Sequence, residues 1–439
     1  MSPDQNELER GTGGEPPPPS RLARKLGTRD AVVVGLGSMI GAGVFAAIGP
    51  AARAAGNMVV VALLIAGALA YCNATSSAQL AALYPESGGA YAYGRRRLGD
   101  VWGFLAGWGF VVGKLASCAA MALTFARYAA PSIARPLAIA AVVSLTAVNY
   151  FGIRKTVGLT KVIVGLVLIA LAACLFATLA GGTVSLDRLW PLDAAGPRDV
   201  LQAAGLLFFA FAGYARIATL GEEVVDPART IPRAIPVALG LTLLVYAAVL
   251  MSALAAAGSS VLAASPAPLA DAIRAGRFAS VAIVVRMGAA IASLGVLLSL
   301  IVGVSRTMFA MAANRDLPAP LAAVHPKHQI PHRAELVVGG GVALLVALLD
   351  VGEAIGFSSF TVLTYYAITN ASALTLSRRE RRWPRPLAAL GLAGCVLVAA
   401  SLPLKTVLSG LGVLSLGLVT FGISRAIRRR TKPSAEPGR

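Results

Sequence analysis

Acidic residues are scarce in this chain. Its 439 residues hold 20 Asp and Glu against 39 Lys and Arg, and charged residues of both signs make up only 13% of it. A soluble domain carries about 25% charged residues, so a string of ordinary water-soluble domains is excluded. Cysteines number four and histidines three. Cys72, Cys118, Cys174 and Cys395 all fall inside apolar stretches. None is placed for a disulfide in an exposed loop, and the four read as small core residues. His325, His328 and His332 crowd a single basic loop. No metal site, no cofactor and no Ser/His/Asp set or paired carboxylates at membrane depth are expected, so the chain is not read as an enzyme.

What the chain has is apolar length. Hydrophobic residues are 57% of it and the mean hydropathy is +0.74. Runs of 18 or more apolar residues recur from end to end, and each is a candidate membrane span. Twelve spans are predicted, over 31–50, 57–83, 101–129, 135–150, 157–180, 199–221, 233–257, 279–311, 334–350, 353–376, 386–402 and 404–424. The fold class expected is an all-α polytopic membrane protein.

The net charge of +19 does not point to nucleic acid, because its distribution follows the bilayer. With the N-terminus inside, 28 of the 39 Lys and Arg fall on the cytoplasmic side, nine outside and two, Lys114 and Arg216, within spans. Such an asymmetry is what the positive-inside rule requires. Both termini are therefore expected in the cytoplasm. Residues 11–20 are rich in Gly and Pro, and 1–30 reads as a disordered tail rather than a signal peptide. Residues 425–439 read as a basic tail.

Two spans are interrupted by glycine. The first reads Gly37-Ser38-Met39-Ile40-Gly41-Ala42-Gly43-Val44-Phe45, and the second Phe208-Phe209-Ala210-Phe211-Ala212-Gly213-Tyr214-Ala215. Unwound backbone at membrane depth is tolerated only where protein or a water-filled cavity surrounds it. Broken segments in corresponding positions of two halves mark the substrate site of a secondary transporter.

These motifs resemble the signatures of the amino acid–polyamine–organocation superfamily. The span 1 break is similar to one of them. So are Tyr84-Pro85-Glu86-Ser87-Gly88-Gly89-Ala90-Tyr91, the stretch from Gly221-Glu222-Glu223 through Asp226-Pro227 to Ile235, and Ser305-Arg306-Thr307-Met308-Phe309-Ala310-Met311-Ala312 followed by Asp316-Leu317-Pro318. They come in the family order, and the chain most resembles the bacterial permeases related to cationic amino acid transporters. The resemblance implies a 5+5 inverted-repeat fold with discontinuous helices 1 and 6. A transporter domain over 31–424 would comprise repeat one (31–180), repeat two (199–376) and peripheral helices (386–424). It also implies alternating access, in a bacterial inner membrane.

The residues themselves suggest how the site works. The amides of Gly41, Ala42 and Gly43 would head a half-helix, whose unpaired N–H groups suit an α-carboxylate. Carbonyls near Met39 and Ile40, and near Phe211, Ala212 and Gly213, would suit an α-ammonium. By resemblance, Phe209 caps the substrate and gates it. Lys114, near the middle of span 3, is a charge at costly depth. There it would repel cationic side chains, accept an acidic one, or stand in for a coupling cation. Arg216 is a candidate latch toward Glu222 or Glu223.

Coupling is less legible. Some proton-coupled relatives carry a lysine midway along span 5, where this chain has an apolar residue near Val167, and no span shows a deeply placed acid. A proton co-substrate through Lys114, exchange and facilitated uptake all stay open, as does sodium on Ser299 and Ser305. The leading reading is an amino acid transporter in the lipid bilayer. Alternatives are a polyamine transporter, less favoured because a polyamine has no carboxylate for the Gly41–Gly43 amides, or a non-transporting sensor. The segment Tyr128 to Pro136 has no cysteine, so no disulfide-linked partner is expected.

Overall fold

The computed structural model describes residues 26–40, 43–84, 88–151, 157–189, 195–218 and 223–431. The first pass is in two pieces, α1 (Thr28–Met39) and α2 (Gly43–Ala55), and α3 (Val59–Leu83) returns. The short α4 (Ala90–Leu98) precedes α5 (Asp100–Ala129), α6 (Ala134–Tyr150) and α7 (Val157–Ala180). The sixth pass is broken too, into α8 (Pro197–Phe211) and α9 (Ala215–Ala218). After α10 (Pro227–Ala257) come two short helices, α11 (Ser259–Ala264) and α12 (Pro268–Arg274). Then follow α13 (Ala282–Ala313), α14 (His332–Leu348), α15 (Val351–Leu374), α16 (Arg385–Ser401) and α17 (Leu404–Thr431). With each broken helix counted once, twelve passes result, as the apolar runs require. We call the side of the molecule that carries Leu26 and α4 the near face, and the other the far face.

Eight described helical stretches are, by length and composition alone, apolar enough to cross a membrane. The remaining passes are shorter or more polar for a reason. Along α15, Ser358, Ser359, Thr361, Thr369, Asn370 and Ser372 are buried, so its polar atoms meet protein and not lipid. The reverse holds outside: Leu244, Leu344, Leu348 and Leu416 are exposed, because lipid, not water, is their solvent. Small residues bring the helices together, as where α13 places Gly288 against Ala170 of α7. Lipid offers no hydrophobic drive between helices, so close packing has to supply their attraction.

Two of the sequence motifs meet at the near face. Gly89, with φ +53°, turns the chain into α4, and places Tyr91 where its hydroxyl donates to Asp316 at 2.7 Å. Arg95 donates to the same Tyr91 oxygen at 2.7 Å and to Asp316 at 3.2 Å. Arg97 donates to Glu380 beyond α15. The residues Pro85, Glu86 and Ser87 of the first motif lie outside the described residues.

The ends of the chain depart from the expected boundaries. Regular structure is already present before residue 31: Leu26 pairs with Val224 in a parallel bridge and α1 starts at Thr28. At the other end α17 runs on to Thr431, so the backbone of the basic run Arg428–Arg430 belongs to the helix and not to a tail. The rest of both expected tails, 1–25 and 432–439, lies outside the described residues.

Candidate substrate site

The helix breaks fall where glycine predicted them. α1 closes with the Ile40 N–H on the Leu36 carbonyl at 2.7 Å, and helix resumes at Gly43. Gly41 and Ala42 lie outside the described residues. In the sixth pass α8 stops at Phe211, a single 3₁₀ turn covers Ala212–Tyr214, and α9 follows.

The two breaks contact each other reciprocally. A Cβ on Gly43 would stand 2.6 Å from the Cα of Ala210. A Cβ on Gly213 would overlap the Ser38 carbonyl. The start of α2 thus touches the end of α8, while the turn after α8 touches the end of α1. Only glycine lets backbone come so near backbone.

Tyr246 of α10 ties the pair together. Its hydroxyl lies 2.5 Å from the carbonyl of Met39 and 3.2 Å from that of Ala210. Both carbonyls belong to helix C-terminal ends, where orphan acceptors need donors. An O–H carries one proton, so it serves the two in turn or as a shared bond. Met39, Ile40, Phe211 and Ala212 are each at most 3% exposed, so these four flanking residues are closed to solvent, while Gly213 is half-buried. Sequence reading missed Tyr246 and Ala210, since nothing in a tyrosine within an apolar run reports which carbonyl it reaches.

The aromatic residues of the second break separate. Phe211 packs on Tyr246, with ring centroids 5.2 Å apart. Phe208 and Tyr214 both pack on Tyr366 of α15, at 5.7 and 5.2 Å. Phe209, the candidate gate, is partly buried against the core. Toward the far face, a cavity of about 20 Å³ lined by Phe45, Thr124, Arg127 and Tyr128 has room for one water.

Lys114 is half-buried in α5. Its ammonium lies 6.0 Å from the ring centroid of Phe110, which in turn packs on Tyr365 of α15 at 5.7 Å. Its electrostatic neighbour is Cys118, one turn on. The residues flanking it are committed to α15: Gly113 lies against Thr361, and Ser117 and Ser358 share a hydrogen bond of 2.7 Å.

At the near face Arg216 stands 4.0 Å from Glu223, while Glu222, the other expected partner, lies outside the described residues. The Leu26 N–H donates to the Glu223 carbonyl at 3.1 Å, and the Val225 N–H to the Leu26 carbonyl at 2.9 Å. The N-terminal strand of chain therefore lies across the exit of the sixth pass. Ser299 and Ser305 donate to carbonyls of their own helix, Gly295 and Val302, at 3.0 and 3.1 Å.

One acid was hidden by its position. Glu335, in the first turn of α14, is 3% exposed. From sequence it reads as an ordinary solvated acid at a helix start; the only hint is the apolar run Leu336-Val337-Val338 that follows it. Among the described residues no group of three His, Cys, Asp or Glu could hold a metal ion.

Twelve passes, with the first and sixth broken and packed break to break, define a membrane transporter of the inverted-repeat fold. The amino acid permease family matches residues 30–402, and the chain belongs to that family: it is a permease and not an enzyme. It is 58% identical over 414 residues to an uncharacterized transporter of Mycobacterium tuberculosis, covering 94% of each chain. It is 25% identical over 447 residues to a branched-chain amino acid permease of Bacillus subtilis, covering 94% of this chain and 95% of that one. It is 28% identical over 385 residues to cationic amino acid transporter 4 of Mus musculus, covering 81% of this chain and 60% of that one.

Proposed function

We propose that the protein moves an α-amino acid across the plasma membrane by alternating access. The observation that carries this is the reciprocal contact of Gly43 with Ala210 and of Gly213 with Ser38. It sets a helix N-terminus beside two helix C-termini in the middle of the bundle. The N–H groups from Gly41 to Gly43 would take the substrate carboxylate. Carbonyls at Met39, Ile40, Phe211 and Ala212, with Gly213 allowing the approach, would take its ammonium. Met39 already accepts from Tyr246, and a carbonyl has a second lone pair to give.

The substrate class we favour is neutral. The apolar lining of Ala212 and Phe209 suits it, the branched-chain permease of Bacillus subtilis is a relative, and Lys114 opposes a cationic side chain. Phe209 would cap the bound molecule and Arg216 with Glu223 would latch the near face. That face would be cytoplasmic, since it carries the arginine-rich segments. The two repeats would run over 31–180 and 199–376, with 386–424 peripheral. Coupling to protons or exchange is favoured over sodium: serines in membrane helices commonly bond to their own backbone, as Ser299 and Ser305 do, so their hydroxyls are no independent sign of an ion site.

A thermal-shift screen of purified protein against the twenty amino acids, putrescine and spermidine tests the reading, since a ligand that prefers the native state raises Tm. A neutral amino acid is expected to shift Tm and to be taken up by proteoliposomes. A shift by polyamines alone would select the polyamine alternative, and binding without uptake would select a sensor.

A further inference from the structure

Glu335 has no role in the site described above, and its surroundings are unusual. Its Oε1 is sealed from solvent with no hydrogen-bond partner. Three more orphaned buried polar atoms lie on the same helix pair: Thr146 Oγ1 and Asn149 Nδ2 on α6, and His332 Nδ1 on α14. The contact between the helices fixes their relation. A Cβ on Gly339 would stand 2.6 Å from Thr146 Oγ1, so Thr146 and Gly339 are level. The helices run antiparallel. Asn149 is three residues nearer the near face than Thr146, or about 4.5 Å, and Glu335 is four residues nearer it than Gly339, or about 6 Å. Asn149 therefore lies abreast of Glu335. The end of α6 confirms the register, for Tyr150 packs on His325 at 5.7 Å and His325 on His332 at 5.4 Å.

A carboxylate oxygen shut from water without a donor is a costly arrangement. One proton relieves it. The charges that face Glu335 are few. From α13 it is the field of Arg306 that reaches it, and the same guanidinium acts on Arg216 at the end of the sixth pass. From α5 the contact is apolar, Leu115 against Gly341, with Lys114 beside it turned to Phe110. The turn Ala319–Ala322 has no titratable group. From α6 come Asn149 and, further out, Tyr150 with His325 and His328; α14 itself adds His332 and the exposed Arg333. Arg306 is thus the charge that the buried acid and Arg216 of the latch have in common.

We propose that Glu335 is the group that binds and releases the coupling proton. Charged, it holds the field of Arg306. Protonated, it releases that field onto Arg216 and loosens the near-face latch. Linkage makes the effect reciprocal: opening the latch changes the affinity of Glu335 for its proton. This rests on the transport reading above and names its coupling ion.

The test uses the full chain in proteoliposomes with an equimolar mixture of radiolabelled amino acids. A gradient of one pH unit drives about tenfold accumulation at one proton per substrate. Wild type is expected to approach that, whereas Glu335→Gln exchanges the mixture at a rate independent of pH and accumulates nothing beyond equilibration. In case the variant folds poorly, wild type is also treated with a hydrophobic carbodiimide, which attacks protonated buried carboxyls, and Glu335 is followed by mass spectrometry. Labelling at acidic pH that declines as pH rises is expected. Accumulation by Glu335→Gln equal to wild type, or no labelling of Glu335 at any pH, overturns the proposal. Wild type that exchanges the mixture but ignores the gradient overturns it while leaving the amino acid reading intact; wild type that binds none of the mixture overturns the substrate reading first.

Discussion

The hydroxyl of Tyr91 donates to Asp316 at 2.7 Å, joining a motif that follows α3 to one that follows α13. Both side chains are at most 7% exposed. Asn314 donates to the same tyrosine oxygen at 3.1 Å and Arg95 spans the pair. Tyr91→Phe removes the bond and leaves the Asp316 carboxylate short of a donor. A bond to a charged, buried group is worth about 1.5–3 kcal/mol, so the variant should unfold at lower temperature. A double-mutant cycle with Asp316→Asn checks it; strictly additive losses would mean the two do not interact.

The near face also carries a pH-sensitive contact. Glu380 accepts from Arg97 and from the Ser377 N–H, and these bonds hold its carboxyl down at about 2 against an ordinary 4.5. A lowered value means the contact is complete above about 4.5 and is lost as pH falls through about 2. The pair is only part-buried, its side chains 17% and 32% exposed, so water still reaches it, its contribution to global stability is small and it weakens with salt. Carboxyl-carbon NMR of labelled Glu380 should show the low value in wild type and a return toward the ordinary range in Arg97→Ala.

Among the described glycines, Gly213 makes the closest approach to backbone, so Gly213→Ala should be strongly damaging. The new Cβ would meet the Ser38 carbonyl, which is backbone and cannot step aside. Overpacking of this kind costs about 1–3 kcal/mol, here paid at the helix break itself, so transport should fall with stability. Gly240→Ala is the control, because nothing lies within 4 Å of its Cβ position and alanine is the better helix former by about 1 kcal/mol. Equal transport by the two variants would remove the close approach from the account of the site.

Lys114→Ala tests selectivity. If the ammonium turns away cationic substrates, its loss should let arginine and lysine compete for uptake of a neutral amino acid at least as well as they bind any apolar pocket. Competition assays in proteoliposomes read this directly. An unchanged inhibition profile would assign Lys114 to its contact with Phe110 and nothing more.

The sequence made the breaks legible because glycine-interrupted runs recur in corresponding positions of two halves, and it made the passes legible because lipid demands long runs. It concealed the residues whose meaning depends on another helix. Tyr246 is one tyrosine among ten until Met39 and Ala210 are seen beneath its hydroxyl. Asp316 reads as part of a loop until Tyr91 covers it. Glu335 reads as a solvated acid until α6 closes over it. Each is a contact between distant segments, and no local pattern carries it.

The pairing of Leu26 with Val224 bears on biogenesis. The opening stretch of the polypeptide leaves the ribosome first, yet its backbone partner emerges only once six passes have been made. Until then the amino-terminal segment has nowhere to dock. Seating it must wait for the sixth pass, so it reports that the first pass of the second half has met the start of the first.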